Sequence, residues 1–379
     1  MTVQSKRTLK IEKLARIYDE EIAPVWGTRF GKMLLRNLAL PERGQVLDIS
    51  CGTGYPTIEI LRRMRDGSRL IAIDASSAML DVARRKVNEL GPLGKKGIFF
   101  RTESPVPKLS FADDVYDLVV CNLGLNEMPS LEVALRDFAR VCKMGGEVRC
   151  TLPLAGTFQE FHDLFREVLI KHDKHEALDR LERYIARYPT IDHVERCMKT
   201  ASLGGGLEVE EFTLLFKSSR EFFFAPVMEY GPLAEWKEIA GSGQEMQDVF
   251  WYIKEAIDAY FDGRPFSVTV KAGCLIGRKV ERVEMQTQPE MPEIVEIGDS
   301  YEDITDDEID TGLPLPPHKI AAGSVRVDDP EDLEVEEVAD DGSFEVQLDV
   351  AAEADLDAFI EGKKRPSHLE VRSIDDIED

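Results

Sequence analysis

Five apolar runs of strand length recur at Val46–Ile49, Leu70–Ile73, Ile98–Phe100, Leu118–Cys121 and Glu147–Leu152, and helical stretches such as Met79–Leu90 and Leu131–Val141 separate most of them. Strands and helices alternating at this pitch predict a parallel, doubly wound α/β sheet. Helical patterns between Leu9 and Leu40 precede the first run. After Leu152 the period changes, and Phe158, Phe161, Leu164, Phe165, Val168 and Leu169, then Leu178, Leu181, Ile185 and Tyr188, recur at three- and four-residue spacing. That spacing predicts a helical insertion of about 45 residues. A further helix at Ile191–Ala201 is expected to end in Gly204–Gly206. Strands then resume at Leu207–Phe216 and Phe266–Ile276, around a helix near Met246–Phe261.

Charge divides the chain differently. Of 379 residues, the 96 from Glu284 onward hold 31 acidic and 6 basic side chains, whereas Met1–Val283 balances 41 against 41. The net charge of −25 therefore belongs to the tail, which keeps only 3 of the 30 aromatic residues. So little apolar area cannot offset the entropy of ordering, and residues 284–379 are expected to be mostly disordered. Two short exceptions are FEVQLDV, which alternates like a strand, and DLDAFIEGKKR, which suits a transient amphipathic helix. A neutral body lacks the basic footprint of nucleic-acid binding or of attraction to an acidic membrane surface. The N-terminus has no apolar signal core, and no stretch approaches the roughly 18 apolar residues of a membrane span, so a cytoplasmic protein is expected. Six scattered cysteines without a C-x-x-C pair indicate reduced, buried small residues rather than a disulfide framework or zinc knuckle.

The strongest chemical signal is VLDISCGTGYPTIEIL. An apolar strand ends at Asp48, a small-residue turn runs through Ser50, Gly52 and Gly54, and a helix begins near Pro56, a residue favoured at the first helical position. Glycines in such a turn let the backbone approach a ligand, and the helix start offers free N–H groups. Twenty residues past Gly54, Asp74 ends the strand LIAID, where a carboxylate can accept both hydroxyls of a ribose. A dinucleotide fingerprint requires a third glycine where Thr57 stands. A turn led by an acid fits a nucleoside carrying a cationic amino-acid group better.

On these residues the chain resembles the class I S-adenosylmethionine-dependent methyltransferases, from about Tyr18 to Lys279. Three blocks agree in order: VLDISCGTG, IAIDASSAMLDVARRKV and LSFADDVYDLVVCNLGLNEMPSLEVALRDFARVCKMGGEV. From CNLGLNEM through the inserted helices, and again at PFSVTVKAGCLIGRK, it is similar to the small-molecule group that includes malonyl-carrier-protein O-methyltransferases and quinone C-methyltransferases. The resemblance implies a Rossmann-like, mostly parallel sheet. Lid helices would occupy residues 1–44, the methyltransferase domain residues 45–283, its helical cap about 157–203, and the acidic tail residues 284–379. It implies S-adenosyl-L-methionine as cofactor, with Asp48, Ser50, Gly52 and Gly54 at its amino-acid and ribose end and Asp74 on the ribose hydroxyls. Met79 would touch the adenine, unless it is only a helix-core methionine, and Glu103 would pair with the adenine amino group. Asn122 and Leu123 would lie beneath the sulfonium, with Tyr18 at the methionyl carboxylate or the methyl-donor face and Trp26 as an apolar wall. An aromatic residue that such enzymes carry after the fourth strand is Glu127 here.

Methyl transfer from a sulfonium is an in-line displacement for which alignment supplies much of the acceleration, so neither nucleophile nor metal is obligatory. A general base matters only when the acceptor loses a proton, and the sequence names no catalytic residue. His162, His172 and His175 are close enough in sequence for a metal pair, but KHDKHEALDR reads as a solvated helix face. The leading expectation is methyl transfer to a small molecule or a carrier-bound acyl group under the Phe158–Tyr188 cap. A methyltransferase-like module that recruits protein partners through its acidic tail is the second. A nicotinamide oxidoreductase is the third, and Thr57 counts against it.

Overall fold

Among the described residues seven strands and a short edge strand pair into one sheet, and their order explains where the chain leaves room for a ligand. In the computed structural model, which describes residues 3–95, 97–261, 263–281 and 344–346, the strands are β1 (Gln45–Ile49), β2 (Arg69–Asp74), β3 (Gly97–Thr102), β4 (Tyr116–Asn122), β5 (Cys142–Pro153), β6 (Leu203–Phe216) and β7 (Phe266–Lys279). The order is β3-β2-β1-β4-β5-β7-β6, with a three-residue strand β8 (Phe344–Val346) parallel to the outer edge of β6. The first five are parallel, β7 runs antiparallel to β5, and β6 antiparallel to β7. The order reverses at β1 and β4, and ligands of open α/β sheets bind outside the carboxyl ends of strands at such a switch. The strand expected in FEVQLDV is present. The other tail expectations, disorder and the DLDAFIEGKKR helix, lie outside the described residues.

Side chains alternate along each strand, so the sheet has two apolar faces. Val46, Leu118 and Val120 pack on one face with the lid and the cap, and Leu47, Ile49, Val119 and Cys121 on the other with α5 (Leu131–Val141) and α8 (Ile191–Thr200). Asp48 and Asn122 share the phase of Val46 and Val120 and so belong to the lid side. The six cysteines are unbridged and buried. Helix starts follow the local chemistry: the hydroxyls of Ser76, Ser130 and Thr190 accept the Met79, Val133 and His193 N–H groups. Each such cap is worth about 1 kcal/mol.

The lid comprises α1 (Val3–Ile17), a π-helical segment (Tyr18–Gly27) and α2 (Thr28–Leu35). Arg149 of β5, only 5% exposed, donates to the carbonyls of Leu34, Arg36 and Asn37 at 3.1, 2.7 and 3.3 Å. These acceptors include the end of α2, where carbonyls lack helical partners, so one guanidinium fixes the root of the lid to the sheet.

Two segments differ from the sequence expectation. Gly204–Gly206 do not close a helix but run inside β6, opposite Arg278, Gly277 and Ile276. A side chain at Gly205 would place its Cβ 2.0 Å from the Ile276 carbonyl oxygen, so the glycine permits close backbone approach. The cap is also larger than the expected insertion. Besides α6 (Gln159–Lys171) and α7 (His175–Ile185), it has α9 (Ser219–Phe224), α10 (Pro226–Glu229), α11 (Leu233–Ala240) and α12 (Gly243–Phe261). The Phe161 ring centroid lies 4.1 Å from that of Trp236 and 4.9 Å from that of Phe222, so these rings join the two halves of the cap.

Candidate functional site

The turn after β1 is shaped by three residues in the left-handed region: Ser50 at φ 55°, Gly52 at φ 54° and Gly54 at φ 99°. Two are glycines, for which this conformation has no steric cost. Ser50 is the one of the three that is not glycine, and the room it needs is provided opposite. A Cβ on Gly124 would fall 2.5 Å from the Ser50 Cβ. The Gly52 N–H donates to Asp74 Oδ2 at 2.8 Å, and Ser76 N–H to Asp74 Oδ1 at 2.8 Å. Asp74 thereby fixes the turn from the next strand.

Asp48 lies beneath this turn and is fully buried. Thr57 Oγ1 donates to its Oδ2 at 2.6 Å, while Oδ1 has no partner. The residue that breaks the dinucleotide fingerprint is therefore the hydroxyl that holds the acid of the motif. Burial, with the Asp74 charge added, pushes the Asp48 pKa up to about 7. Burial likewise raises Asp74 above the usual carboxylate range, and burial followed by the Asp74 charge raises Glu127. Among the described residues Asp48, Asp74 and Glu127 form no ion pair with a lysine or arginine, and the Asp74 charge repels the other two. The site is a negative depression inside a body of balanced charge.

Tyr18 lies across the turn, its Cε1 3.7 Å from a Cβ position on Gly52. Burial and then the charges of Glu127, Asp74 and Asp19 drive its phenol up to about 12. Asp19 itself pairs with Lys86 at 2.7 Å, which ties the start of the π-helical segment to α4 (Ser77–Glu89). Its end is tied by Asn122, whose Nδ2 donates to the Gly27 carbonyl at 3.1 Å while Oδ1 accepts from Thr151 Oγ1 at 2.7 Å. Leu123 turns left-handed at φ 67° directly after β4. Tyr18, Leu123 and Glu127 then form one side of a cavity of about 470 Å³, whose other walls are Trp26, Phe158, Tyr184, Tyr188 and Tyr230, with Arg187 and Glu235.

The structure thus brings together Tyr18, Asp48, Ser50, Gly52, Gly54, Asp74, Asn122 and Leu123 at the ends of β1, β2 and β4. Met79 is half-buried and packs against Ala15, Ala78 and Val82, between α4 and the lid. Glu103 follows β3, and its N–H donates to the Asp74 carbonyl at 3.0 Å. Its carboxylate already has partners, the Ser110 N–H at 3.0 Å and the Arg101 guanidinium. His162 is buried in the cap among Tyr184, Tyr188 and Trp236, and burial drops its pKa to about 4. His172 stacks on Tyr252 at 3.6 Å. Among the described residues no group of three His, Cys, Asp or Glu is placed to hold a metal ion. Nor is any described helix long and apolar enough to cross a membrane.

Sequence reasoning did not single out Tyr184, Arg187, Tyr230 or Glu235.

Residues 46–146 match the family model for a methyltransferase domain. The chain is 27% identical over 159 residues to the demethylmenaquinone methyltransferase of Staphylococcus aureus, covering 41% of this chain and 62% of that protein. It therefore spans about three fifths of the length of the curated relatives it matches. Among solved structures it is similar to the YcgJ protein of Bacillus subtilis, with TM-score 0.44 at 18% identity over 67% of this chain and 99% of that one. Another is the geranyl diphosphate C-methyltransferase of Streptomyces coelicolor, with TM-score 0.40 at 14% identity over 67% and 79%. Over residues 46–146, which hold the glycine turn, the chain is thus similar to methyltransferase domains.

Proposed function

We propose that the protein transfers the methyl group of S-adenosyl-L-methionine to a small molecule, free or as a carrier-bound acyl group, held in the cavity beside the glycine turn. The observation that carries this reading is the set of carboxylates Asp48, Asp74 and Glu127 at the turn and the cavity beside it, none in an ion pair among the described residues and with Asp48 Oδ1 unpartnered there. A nucleoside with a positive sulfonium and ammonium supplies what that depression lacks. When bound, the cofactor supplies an electrophilic methyl group on sulfur.

In this reading Asp74 accepts the ribose hydroxyls while keeping the Gly52 and Ser76 N–H groups. Asp48, ionised by the approaching cation, holds the amino-acid end through the turn. Tyr18, which faces the turn and also lines the cavity, covers the cofactor, and Leu123 forms the floor beneath the reacting carbon. The aromatic walls exclude water and align the acceptor, and alignment is what an in-line displacement needs most. Met79 serves as packing for the lid. Glu103 would have to exchange Arg101 for an adenine amino group, so its role is the least supported of those considered.

Calorimetric titration with S-adenosylmethionine and its demethylated product tests the reading. Binding of either is expected, and Asp74→Ala should weaken it by roughly 1–3 kcal/mol through lost hydrogen bonds to a charged acceptor. No heat with either compound would remove the proposal. Recruitment of a basic protein partner by the tail is a separate proposal, supported by its 31 acidic against 6 basic residues. A pull-down with residues 284–379 that recovers no partner at low salt would end it.

A further inference from the structure

The cavity that Tyr18 shares with the cofactor turn has a composition that points to one chemical class of ligand. Six aromatic side chains line it: Tyr18, Trp26, Phe158, Tyr184, Tyr188 and Tyr230. Trp26 and Phe158 stack at 5.8 Å with 22° between their planes, and Tyr184 and Tyr188 meet edge to face at 5.9 Å. Three ionisable side chains of fixed charge also line it, Glu127, Glu235 and Arg187. Arg187 is neutralised by Glu235, and its guanidinium sits 4.5 Å from the Tyr184 ring centroid. One wall of the cavity thus already holds a cation against an aromatic face. Glu127 remains, exposed to the cavity and, among the described residues, with no ion pair or hydrogen bond of its own, and the Asp74 charge repels it. His162, behind the Phe158–Tyr184 wall, is kept neutral by burial and adds no positive charge at pH 7.

We propose that this cavity recognises an organic cation, an amine bound as its ammonium, with the charged head between Glu127 and the aromatic rings. Aromatic faces attract alkylated ammonium groups through the ring quadrupole, more strongly when water is excluded. A single uncompensated carboxylate at the edge of such a cage adds a Coulomb term that a neutral ligand of the same shape does not receive and an anion would oppose. The aliphatic or benzylic remainder of the ligand lies against Trp26 and Phe158. This inference rests on reading the cavity as the acceptor site of the proposed methyltransferase, and it narrows the acceptor from any small molecule to an amine: Glu127 takes the ammonium proton, the freed nitrogen lone pair forms the N–C bond as the C–S bond breaks, and the sulfur leaves as a neutral thioether.

The test is calorimetry on the full chain with three probes of similar shape: benzyltrimethylammonium, benzyl alcohol and benzoate. The cation is expected to bind about tenfold or more tightly than the alcohol, and benzoate most weakly. Glu127→Gln should erase that order while Glu127→Asp keeps it, and Trp26→Leu should weaken the cation by about tenfold. Equal or tighter binding of benzyl alcohol or benzoate by the wild-type chain overturns the proposal, and so does an unchanged preference in Glu127→Gln. Titration with S-adenosylmethionine on the same sample separates the two readings. Cofactor binding without cation preference overturns only this inference, and cation preference without cofactor binding overturns only the methyltransferase reading.

Discussion

Two neighbouring regions meet at Tyr18 and are built by different means. The glycine turn draws Asp48, Ser50, Gly52, Gly54 and Thr57 from ten consecutive residues and fixes them with short hydrogen bonds to Asp74 and within the motif. The cavity takes its walls from the lid, the loop after β4 and both halves of the cap, and it is held mainly by ring packing. A region built from contiguous residues is tied to one ligand geometry. A region assembled from separated helices can change its contents without disturbing the turn.

Perturbing the cap should leave the turn intact. Phe161→Ala removes the ring between Trp236 and Phe222 and is expected to cost about 3–5 kcal/mol in urea unfolding. Binding of S-adenosylmethionine by the folded fraction should persist, and its loss would show that the two regions are not separable.

The turn, in contrast, should respond to pH. Asp48 titrates at about 7 when folded against an ordinary 3.8, so between those values the folded chain holds a proton that the unfolded chain has released. Stability therefore falls as pH rises from about 4 to 7, by at most roughly 4 kcal/mol. Asp48→Asn should flatten that part of the profile, and an equally steep fall in the variant would assign the effect elsewhere.

A smaller effect is expected where the regions join. Asn122→Ala leaves the Gly27 carbonyl and the Thr151 hydroxyl without their partner, at a cost of about 1–3 kcal/mol. Thermal melts should show it, along with weaker binding of ligands to both regions. Smallest of all is Arg187→Gln, because both partners of its ion pair are about half exposed, at 57% and 49%. Its stability change should stay under about 1 kcal/mol, so a large loss would mean the pair supports the cap.

The contrast also explains what was legible in the sequence. Strands β1 to β5 and helices α4 and α5 alternate by rules that act over a few residues, and the acid-led turn is a local pattern. The segment FFFAPVMEYGPLAEW was unreadable for a physical reason. Phe222, Phe223, Met228 and Trp236 are buried, and α9, α10 and α11 are short and apolar on several sides, so no polar face marks a helical period. The role of Gly204–Gly206 depended on the Ile276 carbonyl, about 70 positions further on, as a partner no local rule supplies. Glu103 follows β3, and its side chain pairs with the nearby Arg101 and, across a loop, with the Ser110 N–H, partners that no local pattern announced. Glu127 stood out as an unusual residue, and its meaning emerged only beside six aromatic side chains drawn from the lid and the cap.

Tyr18 faces Gly52 and also lines the cavity, on a segment anchored by Lys86 at one end and Asn122 at the other. A side chain held in this way is common property of two equilibria. Whatever factor an occupant of the turn contributes to affinity in the cavity through Tyr18, an occupant of the cavity returns to the turn by the same factor, because the coupling free energy has one value read from either direction. Order of binding can then be set by concentration rather than by any gate.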